Sequence, residues 1–324
     1  MTDANVSDAV EAPYVSPDVR AFLDFLNAQE GPKMHELPAD ATRAMMLAMR
    51  EMADADPVPL AVVRDLTCPG PGGDIPLRLY DSRETRAAGP ILIFYHGGGW
   101  VIGDIDTHEP FCTRAAELLD IPVLSVDYRL APENPWPAGP DDCEAAARWA
   151  ASSPAELGRG VTAITVAGDS AGGNLAIATA MALRDEPAAV PVIGQLLIYP
   201  STDLAAEGGS MDEFADGHLL TKASMEWFRD HYAPDFSHQS VRPMVHVQSG
   251  MPPAILVTAS LDPLRDQGRA FVEILQASAV PVTHLEAKGN IHGFICLSKA
   301  VPSAAQEITR MLMAFKTLID EASA

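Results

Sequence analysis

The sequence predicts an α/β fold: a mainly parallel sheet covered by helices on both faces. Three observations predict it. Short apolar runs rich in β-branched residues recur along the chain: "PILIFY", "IPVLSVDY", "AITVAG", "GQLLIYP", "PAILVTAS" and "PVTHLEA". Helical stretches lie between most of them, and strands alternating with helices require right-handed crossovers between parallel neighbours. The length of 324 residues, with 48% hydrophobic and 20% charged residues, supplies a sizeable core for one large domain or a domain with a smaller lobe.

From the N-terminus, "SPDVRAFLDFLNAQEG" reads as a helix, with Ser16 as cap, Pro17 at its first position and Gly31 at its end. Phe22, Leu23, Phe25 and Leu26 form its apolar stripe. "PADATRAMMLAMREMADAD" is a second helix with Met45, Met46, Met49 and Met52 on one side, a face suited to core packing or to an adaptable pocket. "AVVRDLTC" and "IPLRLYDS", joined by "PGPGGD", predict an antiparallel edge hairpin. The βα rhythm follows, with helices at "FCTRAAELLD", "PDDCEAAARWAAS", "GGNLAIATAMALRD" and "GRAFVEILQAS". It breaks once, after "LIYPSTD". The insert there carries Phe214, Leu219, Leu220, Met225, Trp227 and Phe228 but no strand pattern, and predicts a helical lid that packs with the two N-terminal helices. The last helix, "SAAQEITRMLMAFKTLIDEA", covers the sheet.

Charge narrows the function classes. The 44 acidic residues outnumber 22 Lys plus Arg, for a net charge of −22, which argues against nucleic acid and against anionic membranes as partners. Cys68, Cys112, Cys143 and Cys296 are widely spaced and form no C-x-x-C, so no zinc site is expected and reduced thiols are. "MTDANVSDAVEAPYV" has neither a basic start nor an apolar stretch, and no run approaches the roughly 18 apolar residues of a membrane-spanning helix. A cytoplasmic protein is the expectation.

The chemistry lies in Gly168-Asp169-Ser170-Ala171-Gly172, which follows the strand "AITVA" and opens a helix. G-x-S-x-G in a strand–turn–helix context places a serine on a sharp turn whose flanking positions have no room for a Cβ. A phosphate loop of the Walker type would need a lysine after its last glycine, and a dinucleotide-binding loop would need G-x-G-x-x-G near the first strand; neither is present. Serine needs a base, and in this geometry an acid and a histidine should follow it in that order, each just after a later strand. Asp262 follows "PAILVTAS" and His292 follows "PVTHLEAKGNI". Ser170, Asp262 and His292 are therefore the catalytic candidates. The rivals are weaker: His108 among the histidines, Asp266 and Asp203 among the acids. Asp266 is expected to cap a helix or pair with Arg265.

"YHGGGW" directly follows an apolar run. Successive glycines there weaken regular structure and let backbone N–H groups turn toward a reacting oxygen. Gly98 and Gly99, with Ala171 after the nucleophile, are the candidate oxyanion donors, and His96 is expected to anchor the loop. Trp100 either shapes the substrate pocket or pins the loop.

Together "HGGGW", "DYRLAPENPWPAGPDD", "GDSAGGNLA", "DPLRD" and "HGF", in this order, resemble the bacterial branch of the hormone-sensitive-lipase family of α/β-hydrolase esterases (family IV), from about Val63 to the C-terminus. The resemblance implies an eight-stranded, mostly parallel sheet with helices on both faces and a helical cap. The divisions expected are 1–55 and 204–240 for the cap, and 56–203 and 241–324 for the core. It implies a carboxylesterase for short- to medium-chain acyl esters working through an acyl-enzyme, with a small-molecule ester as partner and no cofactor or metal. Asp127, Tyr128 and Arg129 would support the site without touching substrate. Phe22, Met45, Leu219, Leu220 and Phe228 would bound the pocket. An acyltransferase, lactonase or amidase would use the same residues, and a non-catalytic receptor on this fold would lack the histidine that His292 supplies. Oligomeric state stays open; the resemblance allows a homodimer through the sheet edge.

Overall fold

The computed structural model describes residues 12–323. The reading of "MTDANVSDAVEAPYV" and the start of the 1–55 segment fall largely on residues 1–11, outside the described residues. Eight strands form one sheet: β1 (Val62–Gly70), β2 (Gly73–Asp81), β3 (Gly89–Tyr95), β4 (Val123–Val126), β5 (Val161–Asp169), β6 (Val192–Ile198), β7 (Ala254–Leu261) and β8 (Val282–Ile291). Their order is β1-β2-β4-β3-β5-β6-β7-β8. β1 and β2 pair antiparallel at one edge, β2 meets β4 antiparallel, and β3 to β8 run parallel. All the predicted strands are present; the hairpin turn is only Pro71-Gly72, because pairing continues to Gly70 and Gly73.

The helices are α1 (Pro17–Asn27), α2 (Ala39–Ala53), α3 (Glu109–Leu119), α4 (Ala138–Ala151), α5 (Ala171–Asp185), α6 (Ser210–Glu213), α7 (Lys222–Tyr232), α8 (Arg265–Ala277) and α9 (Pro302–Ser323). Because side chains alternate along a strand, the sheet builds two cores. Ile91, Ile93 and Tyr95 of β3 pack with α4, α5 and α8 on one face. Leu92 and Phe94 pack with α3 and α9 on the other. Continuous apolar runs such as "PILIF" are what a strand buried on both faces requires. No helix among the described residues is long and apolar enough to cross a membrane. The four cysteines are free.

Local details correct the expectations. Ser16 makes no side-chain cap; its Oγ lies 3.5 Å from the Lys288 carbonyl, and its N–H donates to the Gly289 carbonyl at 3.1 Å. α1 ends at Asn27 rather than at Gly31, with the Ala28 N–H donating to the Asp24 carbonyl. Phe25 is 62% exposed; Val19 and Leu23 are the buried positions. On α2 the inward stripe is Thr42, Met46, Met49 and Ala53, spaced by three or four residues, so Met45 and Met52 fall outside it at 39% and 69% exposure.

The insert after β6 contains α6 and α7 and no strand. It meets the N-terminal helices: Asn27 Nδ2 donates to the Gly217 carbonyl at 3.1 Å, and Phe22 and Leu219 pack against one cluster. Arg43 of α2 reaches the core, donating to the Val101 and Ala131 carbonyls at 2.8 and 2.9 Å. In the loop after β4, the Tyr128 hydroxyl donates to the His96 carbonyl at 2.7 Å and Arg129 pairs with Asp142 at 2.8 Å.

Asp127, beside them, carries a penalty. Burial, then the charges of Asp104 and Asp106, push its carboxyl up to about 6, with Arg78 acting against them. A folded-state pKa above the unfolded value gives stability that is present below about pH 4 and lost as pH rises toward 6. Asp127→Asn removes that loss. Its advantage over wild type is expected to grow from about pH 4 to pH 7 by about 1–2 kcal/mol, discounted for partial exposure. That corresponds to a few degrees in Tm, measured by calorimetry at the two pH values.

Candidate active site

Four strand ends converge at the carboxyl edge of the parallel sheet, where open α/β sheets bind ligands. β3 ends in the glycine loop, β5 in Ser170, β7 in Asp262 and β8 in His292. Neighbouring registers hold them level: Tyr95 pairs with Gly168, and Asp169 with Ile198.

Ser170 has φ 55° and ψ −117°, a backbone conformation that L-residues rarely adopt. Hydrogen bonds from the Ser170 N–H to the Ile198 carbonyl (2.9 Å) and from the Ser201 N–H to the Ser170 carbonyl (3.1 Å) hold it there. The glycines leave no alternative. A Cβ on Gly172 would lie 1.9 Å from the Tyr95 carbonyl oxygen, and one on Gly168 would lie 2.2 Å from the Gly172 oxygen. β5 and α5 thus close against the end of β3, and the serine side chain is turned outward at the helix N-terminus.

His292 Nε2 lies 2.8 Å from Ser170 Oγ, and His292 Nδ1 lies 2.8 Å from Asp262 Oδ2. Asp262 is fully buried; its Oδ1 accepts the Leu264 N–H at 2.8 Å. With Nδ1–H donated to Asp262, Nε2 is left as acceptor for the serine hydroxyl. The rivals are engaged elsewhere. Asp266 accepts from Arg265 Nε and from the Ser210 N–H, each at 2.8 Å, and Asp203 accepts from Arg242 Nε at 2.6 Å. His108 stands beside Asp169, its Nε2 3.2 Å from Oδ1.

In the glycine loop Gly98 and Gly99 have φ of 110° and 59°. Neither N–H donates to a main-chain acceptor among the described residues. Ala171 opens α5, so its N–H has no acceptor within the helix. His96 is buried, with Nδ1 2.8 Å from the Gly97 carbonyl and its ring stacked on Tyr128 at 4.3 Å. Burial, then the neighbouring His108, push its pKa down to about 4, so it is neutral near pH 7.

The pocket candidates separate. The Phe228 ring lies on Gly99 so closely that a Cβ there would be 2.2 Å from it. Leu219 reaches Gly293, beside His292, and Leu220 packs against the same cluster as Trp100 and Phe228. Phe22 is half-buried and packs, like Leu219, against the cluster on the α3 and α9 side of the sheet. Met45 points to solvent, and Met46 takes the inward position. Trp100, at φ 62° and 5% exposed, stacks on Tyr232 at 4.4 Å and 7°, which pins the loop against α7.

The sequence alone assigns no role to two residues beside the Ser170–His292 pair. The Tyr199 ring packs on His292 at 4.5 Å. Asp169, beside Ser170, is buried with Oδ1 2.7 Å from the Gly97 nitrogen and 3.2 Å from His108 Nε2. Burial opposes its charge, but His108, the Gly97 N–H and other neighbours together outweigh burial and hold the carboxyl below the ordinary range. Burial likewise opposes the His108 cation, and the neighbouring Cys296 and Asp169 outweigh it, holding the imidazole well above the ordinary range. Strand alternation was the available signal: Ala167 faces the α3/α9 side, so Asp169 does too, toward the N-terminus of α3 where His108 stands.

Comparison with known proteins places the fold. A profile of the alpha/beta hydrolase fold matches residues 92–296. The carboxylic ester hydrolase LipN of Mycobacterium tuberculosis is 38% identical over 286 residues, covering 85% of this chain and 75% of its own. An ethyl acetate hydrolase of Pseudomonas putida is 31% identical over 315 residues, covering 93% and 98%. The structure of LAE6, an alpha/beta hydrolase enzyme from the metagenome of Lake Arreo, superposes with a TM-score of 0.89 at 36% identity, covering 94% of this chain and 98% of its own.

The packing around Ser170 makes a direct prediction. Gly172→Ala forces a Cβ into the Tyr95 carbonyl and is expected to destabilise the protein by about 3–5 kcal/mol, read as a lowered midpoint in thermal or urea unfolding. Ala176→Gly, further along the same helix, is expected to cost only about 1–2 kcal/mol, from helix propensity and a lost buried methyl.

Proposed function

This chain belongs to the alpha/beta hydrolase fold family and, within it, to the hormone-sensitive-lipase-like carboxylesterases, and we propose that it hydrolyses short- to medium-chain acyl esters through an acyl-enzyme on Ser170. That it is a serine carboxylesterase acting on small esters follows from its relatives. The observation that carries the mechanism is the relay Ser170–His292–Asp262, with 2.8 Å at each contact.

Ser170 Oγ attacks the ester carbonyl as His292 Nε2 takes its proton. Asp262 holds the tautomer and stabilises the imidazolium. The carbonyl oxygen becomes an oxyanion, which the N–H groups of Gly98, Gly99 and Ala171 receive. A preorganised donor of this kind is worth ~3–4 kcal/mol of transition-state stabilisation. The imidazolium returns its proton to the leaving alcohol. Water, deprotonated by His292, then attacks the acyl-enzyme and releases the acid.

Of the two segments expected to form the cap, the described residues 12–55 and 204–240 do so in this reading, and the cap excludes water as substrate binds. Leu219, Leu220, Phe228 and Phe22 bound the pocket. Two considerations favour short chains: Phe228 already lies on Gly99, and one relative is named for ethyl acetate.

The test is a series of aryl esters from acetate to laurate. We expect kcat/KM to be highest from acetate to hexanoate and to fall beyond. Ser170→Ala and His292→Ala are each expected to lower kcat by about 10⁴-fold or more, and Asp262→Asn by about 10⁴-fold. A Ser170→Ala enzyme that keeps wild-type activity overturns the mechanism. Adding a competing alcohol and measuring how the acyl group divides between it and water separates hydrolysis from acyl transfer.

A further inference from the structure

The carboxylate next to the nucleophile has no part in the serine–histidine–aspartate relay, yet it is buried at the junction of the catalytic loops. Asp169 is 4% exposed. Its Oδ1 accepts the Gly97 N–H at 2.7 Å across a sequence separation of 72 residues, and its Oδ2 lies 3.5 Å from the Tyr199 hydroxyl. His108, fully inside the protein, stands 3.2 Å away on the other side. His108 Nδ1 is in turn 3.0 Å from Thr107 Oγ1. Burying such a pair has a large desolvation cost and is weak evidence for stability as such.

Gly97 is where this arrangement acts. It precedes Gly98 and Gly99, and a run of glycines has many accessible backbone conformations. Oxyanion donors work only if their direction is fixed before the reaction. The loop is tied on its far side by the Tyr128 hydroxyl on the His96 carbonyl, and internally by the Val101 and Ile102 N–H groups on the Gly98 carbonyl. The Asp169 contact alone among these comes from the residue that precedes the serine, so it sets the distance between the two halves of the oxyanion site. The approach is close: a Cβ on Gly97 would fall 2.3 Å from Asp169 Oδ2.

We propose that Asp169, held in place by His108, is a positioning residue that clamps the Gly97 peptide to the nucleophile turn and so aims the Gly98 and Gly99 N–H groups at the oxyanion. This rests on the esterase reading of the site. Among the described residues Asp169 makes no hydrogen bond to Ser170 Oγ or to His292, its partners being Gly97, Tyr199 and His108; the clamp is a hydrogen bond, so an asparagine oxygen can replace it in part, whereas alanine cannot.

The experiment compares wild type, Asp169→Asn, Asp169→Ala and Ser170→Ala on an aryl acetate. It also measures inhibition by an aryl trifluoromethyl ketone, which adds to the serine and places an oxyanion in the site. Asp169→Ala is expected to lower kcat about 100-fold with KM within about threefold, and to weaken the ketone by a similar factor. Asp169→Asn is expected to fall only about three- to tenfold in both. A role confined to stability would lower Tm without moving kcat and ketone affinity together. The proposal is overturned if folded Asp169→Ala keeps kcat within about threefold of wild type, or if its loss lies in KM alone. Where Asp169→Ala does not fold, Asp169→Asn decides: a joint three- to tenfold fall supports the clamp, and any other result overturns it. A wild type inactive on the ester, or an active Ser170→Ala, counts against the esterase reading itself; an active wild type, a dead Ser170→Ala and an unaffected Asp169→Ala count against the clamp alone.

Discussion

Gly172 and the Tyr95 carbonyl approach so closely that a single methyl would lie 1.9 Å from the oxygen. That contact joins the first turn of α5 to the end of β3, and much of the site is referenced to it. It leaves Ser170 at a positive φ that L-residues rarely adopt, sets Ala171 at the helix start with an N–H that has no acceptor within the helix, and brings the glycine loop alongside the serine. The register of β3 on β5, Tyr95 opposite Gly168, is the same constraint seen from the sheet. Local strain is tolerated because both sheet faces are packed around it, with Ile93 and Tyr95 in one core and Leu92 and Phe94 in the other.

Electrostatics adds a second layer. Three imidazoles stand near the serine in different settings. His292 faces Ser170 and Asp262. His108 is held charged beside Asp169, and His96, whose ring lies 5.6 Å from that of His108, is held neutral. Two buried histidines so close together cannot both carry charge cheaply, and the neighbours of His108, Cys296 and Asp169, favour the charge there. The neutral His96 is then free to act as a flat packing partner for Tyr128, which is how the glycine loop meets the segment after β4.

The insert and the N-terminal helices meet the core at the same loop. Trp100 stacks on Tyr232, Phe228 lies on Gly99, and Arg43 donates to the Val101 carbonyl. In the proposed reading, the elements that would shape the substrate pocket therefore rest on the loop that would receive the oxyanion. A change in the helices would then register in the chemistry as well as in substrate choice.

The strands and the βα order were legible because a strand buried on both faces must be a short continuous apolar run, and a crossover must be a helix of matching length. Ser170, Asp262 and His292 were legible for a related reason: each stands at a strand end, and strand ends can be counted along the sequence. The apolar faces of α1 and α2 were only half legible. Which of Met45 and Met46 turns inward depends on a rotation of about 100° that periodicity alone does not fix. Ser16 looked like a helix cap, but its Oγ lies nearest the Lys288 carbonyl, which belongs to a strand far along the chain. Asp169 was visible in the motif and its use was not, since the partners that define it, Gly97 and His108, come from other loops. Sequence by itself determined the order of elements and which residue types stand at their ends, because those follow from local chemistry and spacing. Only the tertiary structure decided which ends meet, which histidine faces the serine and which carboxylate is buried beside a cation, because those depend on contacts between residues far apart in the chain.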